Sequence, residues 1–324
     1  MALLNRSATG GVGGGQYPSY ASDSTNKWIP QIWSGLMVEK FYPATVVGDF
    51  ANTDYQGEIS GYGDSVVIRT TPDISIVEYE VGMDLDYENP ESPSTLLEIN
   101  RGFSFSFAIE SVDKYQSDID LISDWSEDAS HQLATRVDRQ ILAGDGVNPG
   151  IYADAAPENQ GATAGKISQD INLGVAGAPR VVTKADVLDW IVDLGVVLDE
   201  QDVPETDRCL ILPAKFTGLI KKSDLRDASI AGDDTSIVRN GRLGMIDRFM
   251  LYGSNLLGVD QATGEYNIIA AHKSALTFAA QMDDEKLVHM LNPKKHGELI
   301  RGLMVYGYEV IKEESLVWSV AQAA

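Results

Sequence analysis

Seven consecutive residues, Phe103-Ser104-Phe105-Ser106-Phe107-Ala108-Ile109, alternate apolar with small or polar side chains without a break. A period of two belongs to a strand with one buried face, and this face carries three phenylalanines and an isoleucine. A second strand signal lies upstream in Ser65-Val66-Val67-Ile68-Arg69-Thr70, continuing past Pro72 through Ile74, Ile76 and Tyr79. Between the two, Gly82 to Pro93 is rich in acids and prolines and unsuited to a strand interior. The spacing predicts one long β-hairpin from Asp64 to Ile109, with arms of roughly fifteen residues reaching about 50 Å. A two-stranded ribbon is marginal in water, so this one needs a surface to lie on. Another copy of the same chain is the simplest candidate, which points towards assembly and away from catalysis.

The charge balance agrees. The chain of 324 residues carries 48 acidic against 25 basic side chains, a formal charge of -23. A dedicated phosphate-backbone binder needs a basic surface, so that class is disfavoured. The acid is uneven: Phe41 to Asp113 holds fourteen Asp or Glu against Arg69 and Arg101, with no lysine, whereas Arg208 to Arg248 holds eight Lys or Arg against five Asp. Complementary patches that meet between subunits would produce such asymmetry, as would solvated surface that serves solubility.

Along the chain, residues 1 to 26 are rich in Gly, Ser, Asn and Thr and predict a mobile arm. Trp28 to Tyr42 has helical spacing, with Pro30 suited to a first turn. After Ile109 the period changes from two to about 3.6. From Asp118 to Ala143, Ile119, Ile122, Trp125, Ala129, Leu133, Val137 and Ile141 form one stripe on a helix of roughly 38 Å, stopped at Gly144-Asp145-Gly146. Residues 145 to 180 predict an irregular segment. Thr183 is placed to cap a helix from Lys184 to about Asp199. Arg208 to Leu212 reads as a buried strand, and Pro213 opens a short helix through Phe216, Leu219 and Ile220. A polar loop is expected from Ser223 to Arg239, and single strands at Gly244–Tyr252, Tyr266–Ala271 and Ala275–Ala280. Leu299–Ile311 and Ser315–Val320 are expected to close the chain as an antiparallel pair.

No catalytic, cofactor-binding or metal-binding residue is assigned. His131, His272, His289 and His296 offer no i,i+4 pair for a helical zinc site. Cys209, the only cysteine, lies in an apolar run that predicts a buried, inert thiol. There is no Gly-x-Ser-x-Gly elbow and no Walker motif, and the glycine run at 10 to 15 lacks the strand, Lys-Ser/Thr and helix of a phosphate loop. No apolar run approaches the ~20 residues of a membrane span, and the first residues lack a signal-peptide core, so a cytoplasmic product is expected.

Several segments together resemble the major capsid (coat) proteins of tailed bacteriophages, which have the Hong Kong 97-type fold. They are Trp33-Ser34-Gly35-Leu36 to Tyr42; Asn52 to Ile59 running into Gly63-Asp64-Ser65-Val66-Val67-Ile68; Val203-Pro204-Glu205-Thr206-Asp207-Arg208 to Pro213; Asn240 to Phe249 followed by Tyr252-Gly253-Ser254-Asn255; and Arg301 to Val310. Their order covers nearly all of the chain after about residue 28. The resemblance implies an α+β fold with a flexible N-terminal arm (1–30) and an N-terminal part of the peripheral domain (31–54). An extended β-hairpin loop (55–109) would follow, then the spine helix and its following loop (110–182), an axial domain (183–270) and C-terminal strands (271–324). It also implies hexamers and pentamers closing into an icosahedral head around double-stranded DNA, with scaffolding and portal proteins as partners. The head would assemble in the host bacterial cytoplasm, with no membrane involved.

On this reading Ile74, Ile76, Phe103, Phe105 and Phe107 are the expected intersubunit contacts, laid against a neighbour's spine helix. Some shells of this family weld subunits through an extended-loop lysine. Here no lysine stands between Lys40 and Lys114, so a non-covalent shell is expected. The alternatives are an encapsulin-like shell without a genome, a phage tail or decoration protein, and an enzyme whose site carries no familiar motif.

Overall fold

A computed structural model of the chain describes residues 45–54, 65–72, 74–78, 80–84, 87–111, 121–223, 244–280, 288–291 and 296–324. The expected N-terminal arm, the helix Trp28–Tyr42, the turn at Gly61–Asp64 and most of the Ser223–Arg239 loop fall outside these residues. Four helices are described: α1 (Val47–Phe50), α2 (Leu121–Ala143), α3 (Val187–Glu200) and α4 (Ala214–Lys222). The strands form three sheets. β1 (Ser65–Arg69) and β2 (Ser94–Glu98) make a two-stranded antiparallel ribbon. The second sheet has β12 (Gly297–Val310) at its centre, paired with β3 (Arg101–Glu110), β10 (Leu276–Ala280) and β11 (Val288–Leu291). The third has seven strands: β4 (Arg180–Val182), β13 (Leu316–Ala323), β9 (Glu265–His272), β5 (Arg208–Leu212), β7 (Phe249–Gly253) and β6 (Met245–Ile246) in that order, with β8 (Val259–Asp260) also on β9.

Two apolar cores flank the seven-stranded sheet, and period-two alternation assigns residues to each. On β5, Leu210 and Leu212 face α3 and α4, while Cys209 and Ile211 face the opposite core. Burial on both sides explains why Arg208–Leu212 reads as one continuous apolar run after its arginine. In α3, Val187, Trp190, Ile191, Leu194, Val197 and Leu198 form the buried stripe. The opposite core is shared: Ile269 and Ala271 of β9 meet Val137, Ile141 and Leu142 of α2 and Leu276, Tyr306 and Tyr308 of the four-stranded sheet. One continuous core therefore joins the two larger sheets through the long helix.

Three expectations about pairing are corrected. The returning arm of the hairpin is Ser94–Glu98, in register Ser65↔Glu98 to Arg69↔Ser94, and not the phenylalanine strand. The phenylalanine strand β3 pairs instead with β12, from Glu110↔Gly297 to Arg101↔Tyr306. β12 and β13 do not pair with each other; they belong to different sheets. Gly244–Tyr252 is a tight hairpin, not one strand, because Asp247 and Arg248 both adopt positive φ (45° and 65°) between β6 and β7. Helix α3 begins at Val187, three residues after Lys184, and Thr183 Oγ1 bonds the Asp186 carboxylate and the Ala185 amide. The long helix ends at Ala143 with Gly144 at φ +80°, as its sequence predicts.

Candidate assembly surface

The hairpin is rooted in the body and, among the described residues, exposed beyond its root. Ile68, Leu97 and Ile99 pack with Ala279, Val305 and Ile311 on the back of the four-stranded sheet. Gly307 permits this approach, because a Cβ there would sit 2.1 Å from the backbone oxygen of Glu98. Past Arg69 the two arms hold on through Thr70, whose N–H and hydroxyl both donate to the Pro93 carbonyl at 3.0 Å. Further out the Ser75 amide donates to Glu88 Oε1 at 2.6 Å. The ribbon turns at Glu80–Met83, where Gly82 has φ +92°. Ile76, Val81 and Tyr87 are 98%, 97% and 93% exposed, and Ile74 and Val77 are exposed as well. Between Thr70 and Pro93 the chain has seven acids and no base.

The phenylalanine face is used inside the subunit. Phe107 stands edge-on to Trp125 of α2 with ring centroids 5.8 Å apart, and Arg136 of α2 lies over Phe103 at 5.5 Å. Phe103 also meets Tyr306 at 6.0 Å. Phe105 lies flat against Gly302, its cross-strand partner, where a Cβ would come within 2.4 Å of the ring. A groove of about 300 Å³ remains between α2, the α1 entry and β12, lined by Leu133, Val137, Phe105, Phe278 and Met304 among others. The structure thus sets Phe103 and Phe107 against α2, places Phe105 on Gly302 beside the groove, and leaves Ile74 and Ile76 exposed on the hairpin. Val77, Val81 and Tyr87 were missed as contact candidates, since they do not share the period-two pattern that singled out Ile74 and Ile76.

Two polar devices set the geometry around this surface. Asp138 of α2 is buried and its Oδ2 accepts the Val46 and Val47 amides at 2.6 and 3.2 Å, clipping the start of α1 to the long helix. Burial pushes its carboxyl above the ordinary value, against the pull of those two amides. On the seven-stranded sheet, Arg208 is fully buried, bonds the Val203 and Pro204 carbonyls, and pairs with Asp199 Oδ1 at 2.7 Å. Arg248 takes the other oxygen of Asp199 at 2.7 Å and reaches Glu205 at 2.8 Å. This ties the β6–β7 turn to the end of α3.

Nothing in these groups resembles a reaction centre. Burial pushes the Cys209 thiol up to about 12, which makes it inert at neutral pH. His131 lies on the exposed side of α2, 4.0 Å from Glu127. Among the described residues, no group of three or more His, Cys, Asp or Glu is arranged to hold a metal ion, and no helix is long and apolar enough to cross a membrane.

Comparison with solved structures decides what kind of fold carries this hairpin. No family model and no curated protein matches the chain. A structure from Mycobacterium phage Che8 superposes with a TM-score of 0.73 at 22% identity, covering 90% of this chain and 97% of that one. The capsid of the cyanophage P-SCSP1u gives 0.66 at 16% identity over 96% and 99% of the two chains. The capsid of a native GTA particle gives 0.65 at 14% identity over 93% and 98%. This is a phage-capsid fold. The match runs along nearly the whole of both chains.

Proposed function

We propose that this chain is the structural major capsid protein of a tailed double-stranded DNA bacteriophage, of Hong Kong 97 type. The observation that carries the proposal is the capsid fold spanning nearly all of the chain, with a long, bare, acidic hairpin projecting from it. In this reading copies of the chain form hexamers and pentamers of an icosahedral head, assembled with scaffolding and portal proteins in the bacterial cytoplasm and carried in the virion. The role is mechanical, with no chemistry of its own. The similarity to phage and GTA capsids favours a genome container over an encapsulin-like shell. The segments take the names of that family: N-terminal arm 1–30, peripheral entry 31–54, extended loop 55–109, spine helix and loop 110–182, axial domain 183–270, and C-terminal strands 271–324.

The contact energy follows from the exposed ribbon. At about 25 cal/mol per Å2, burying ~100 Å2 each of Ile74, Ile76, Val77 and Val81 on a neighbour contributes roughly 2.5 kcal/mol per side chain before ordering costs. Phe103, Phe105 and Phe107 support the neighbour's docking face from beneath, by holding β3 and β12 against α2. Many such modest contacts, each between unlike surfaces of adjacent copies, close a shell. Electron microscopy of the purified protein tests the proposal: closed polyhedral particles are expected, and a protein that stays monomeric under all conditions, with co-expressed scaffold included, would overturn it.

A further inference from the structure

The two larger sheets are joined by two chain crossings that lie side by side. One is the turn from His272 to Ala275 between β9 and β10; the other runs from Ile311 to Ser315 between β12 and β13. The Ile311 amide donates to the Ala275 carbonyl at 2.9 Å and ties the crossings together. The first turn is also anchored to the strand entry before β5, where the Lys273 amide donates to the Asp207 carbonyl at 3.1 Å. His272 closes it from within. Its Nδ1 accepts the Ser274 amide at 3.1 Å and lies 2.8 Å from the Ser274 hydroxyl, and the ring also bonds the Thr206 backbone.

We infer that His272 is a pH-sensitive clasp on the joint between the two sheets, closed while its imidazole is neutral and released when Nδ1 takes a proton. The bond from the Ser274 amide to Nδ1 is what supports this. A ring nitrogen that accepts an amide N–H has its lone pair engaged, and protonation sets two donors against each other. The Ser274 hydroxyl can rotate to accept; the amide cannot. The groups facing the ring are Asp207 before β5, Arg208 on β5 and Lys312 on the second crossing. Burial is the largest influence and favours the neutral ring; Asp207 opposes it, Lys312 and Arg208 add to it, and the Thr206 backbone bond opposes it weakly, so the imidazole titrates below its ordinary value. The unfolded chain therefore takes the proton first. The clasp's contribution is complete above the ordinary imidazole range and is lost as pH falls through that range towards the lower folded value. The shared core around Ile269, Ala271, Leu276 and Tyr306 holds the sheets together meanwhile, so acid softens the joint without unfolding the chain.

Hydrogen–deuterium exchange on the full chain tests this from about pH 8 to about pH 5, with rates corrected for intrinsic chemistry. The wild type is compared with His272→Asn, whose Oδ1 stands where Nδ1 does and takes no proton. Peptides holding Ser274, Ala275 and Ile311 should lose about tenfold in protection in the wild type on acidification and stay unchanged in the variant. His272→Ala should show the low protection at every pH. A parallel acid response in wild type and His272→Asn, or none in the wild type, would overturn the clasp, as would an NMR titration placing the His272 imidazole at or above its ordinary value. Exchange reads the chain whether or not it forms shells, so this inference and the capsid proposal fail separately.

Discussion

A fully buried guanidinium is costly to place, and the surroundings of Arg208 meet part of that cost. Arg208 donates from Nε to the Pro204 carbonyl and from Nη2 to the Val203 carbonyl and Asp199, at the point where α3 hands the chain to β5, while its buried Nη1 has no hydrogen-bond partner among the described residues. Removing its counter-charge leaves a buried cation without compensation. Asp199→Ala is expected to lower subunit stability by about 3 kcal/mol in urea unfolding at neutral pH. Burial works against ionised Asp199, but the bonds from Arg248 and Arg208 prevail and hold its carboxyl below the ordinary value. Its contribution is thus present above the ordinary carboxylate range and disappears as pH falls through the depressed folded value, so wild type and variant should converge in acid. A difference that stays constant down the acid limb would show that charge pairing is not its source. The sequence showed a buried strand at Arg208–Leu212, yet nothing local in it said that the arginine would be interior, because its partner is nine residues away across a loop.

At the scale of the element, two strands that the sequence paired with each other turn out to have different duties. The hairpin root is β1 with β2, and the bare ribbon beyond it has no partner among the described residues of its own subunit. The phenylalanine strand β3 belongs to the body, locked between α2 and β12. Substitutions should separate these duties. Ile76→Asp, at a fully exposed side chain, should leave subunit stability within about 0.5 kcal/mol of wild type while reducing particle yield. Phe105→Asp, which removes the ring that covers Gly302, should instead cost about 3 kcal/mol of subunit stability. Particles formed normally by Ile76→Asp would remove the hairpin from the contact, and an undiminished stability for Phe105→Asp would remove the phenylalanine face from the core. Gly307 belongs with these residues: its missing side chain lets the hairpin root cross β12.

For the whole molecule, the feature with the clearest consequence is one of composition. No lysine stands between Lys40 and Lys114, so the projecting loop has no amine for an isopeptide weld. On the capsid proposal the shell is held by packing and charge. Mature particles boiled in denaturant should run as single subunits on a gel, and a ladder of covalent multimers would contradict this. On the same proposal the acidity of the ribbon, seven acids without a base between Thr70 and Pro93, gives the contact a salt dependence.

Local periodicity was enough to determine the long helix, the buried β5 and helix α4, because each follows from near-neighbour spacing and from which faces can be wetted. Ile74 and Ile76, which the sequence marks as intersubunit contacts, are exposed among the described residues. Strand partners were another matter. Phe103–Ile109 has the alternation of any half-buried strand, and that pattern fits a nearby arm or a strand almost two hundred residues away equally well. Only the tertiary structure decided for β12, because α2 supplies the apolar lid that the phenylalanines need and the hairpin does not. The same holds for β12 and β13, adjacent in sequence but sent to different sheets by the crossing at Ile311–Ser315, and for His272, whose meaning depends on the two crossings that meet beside it.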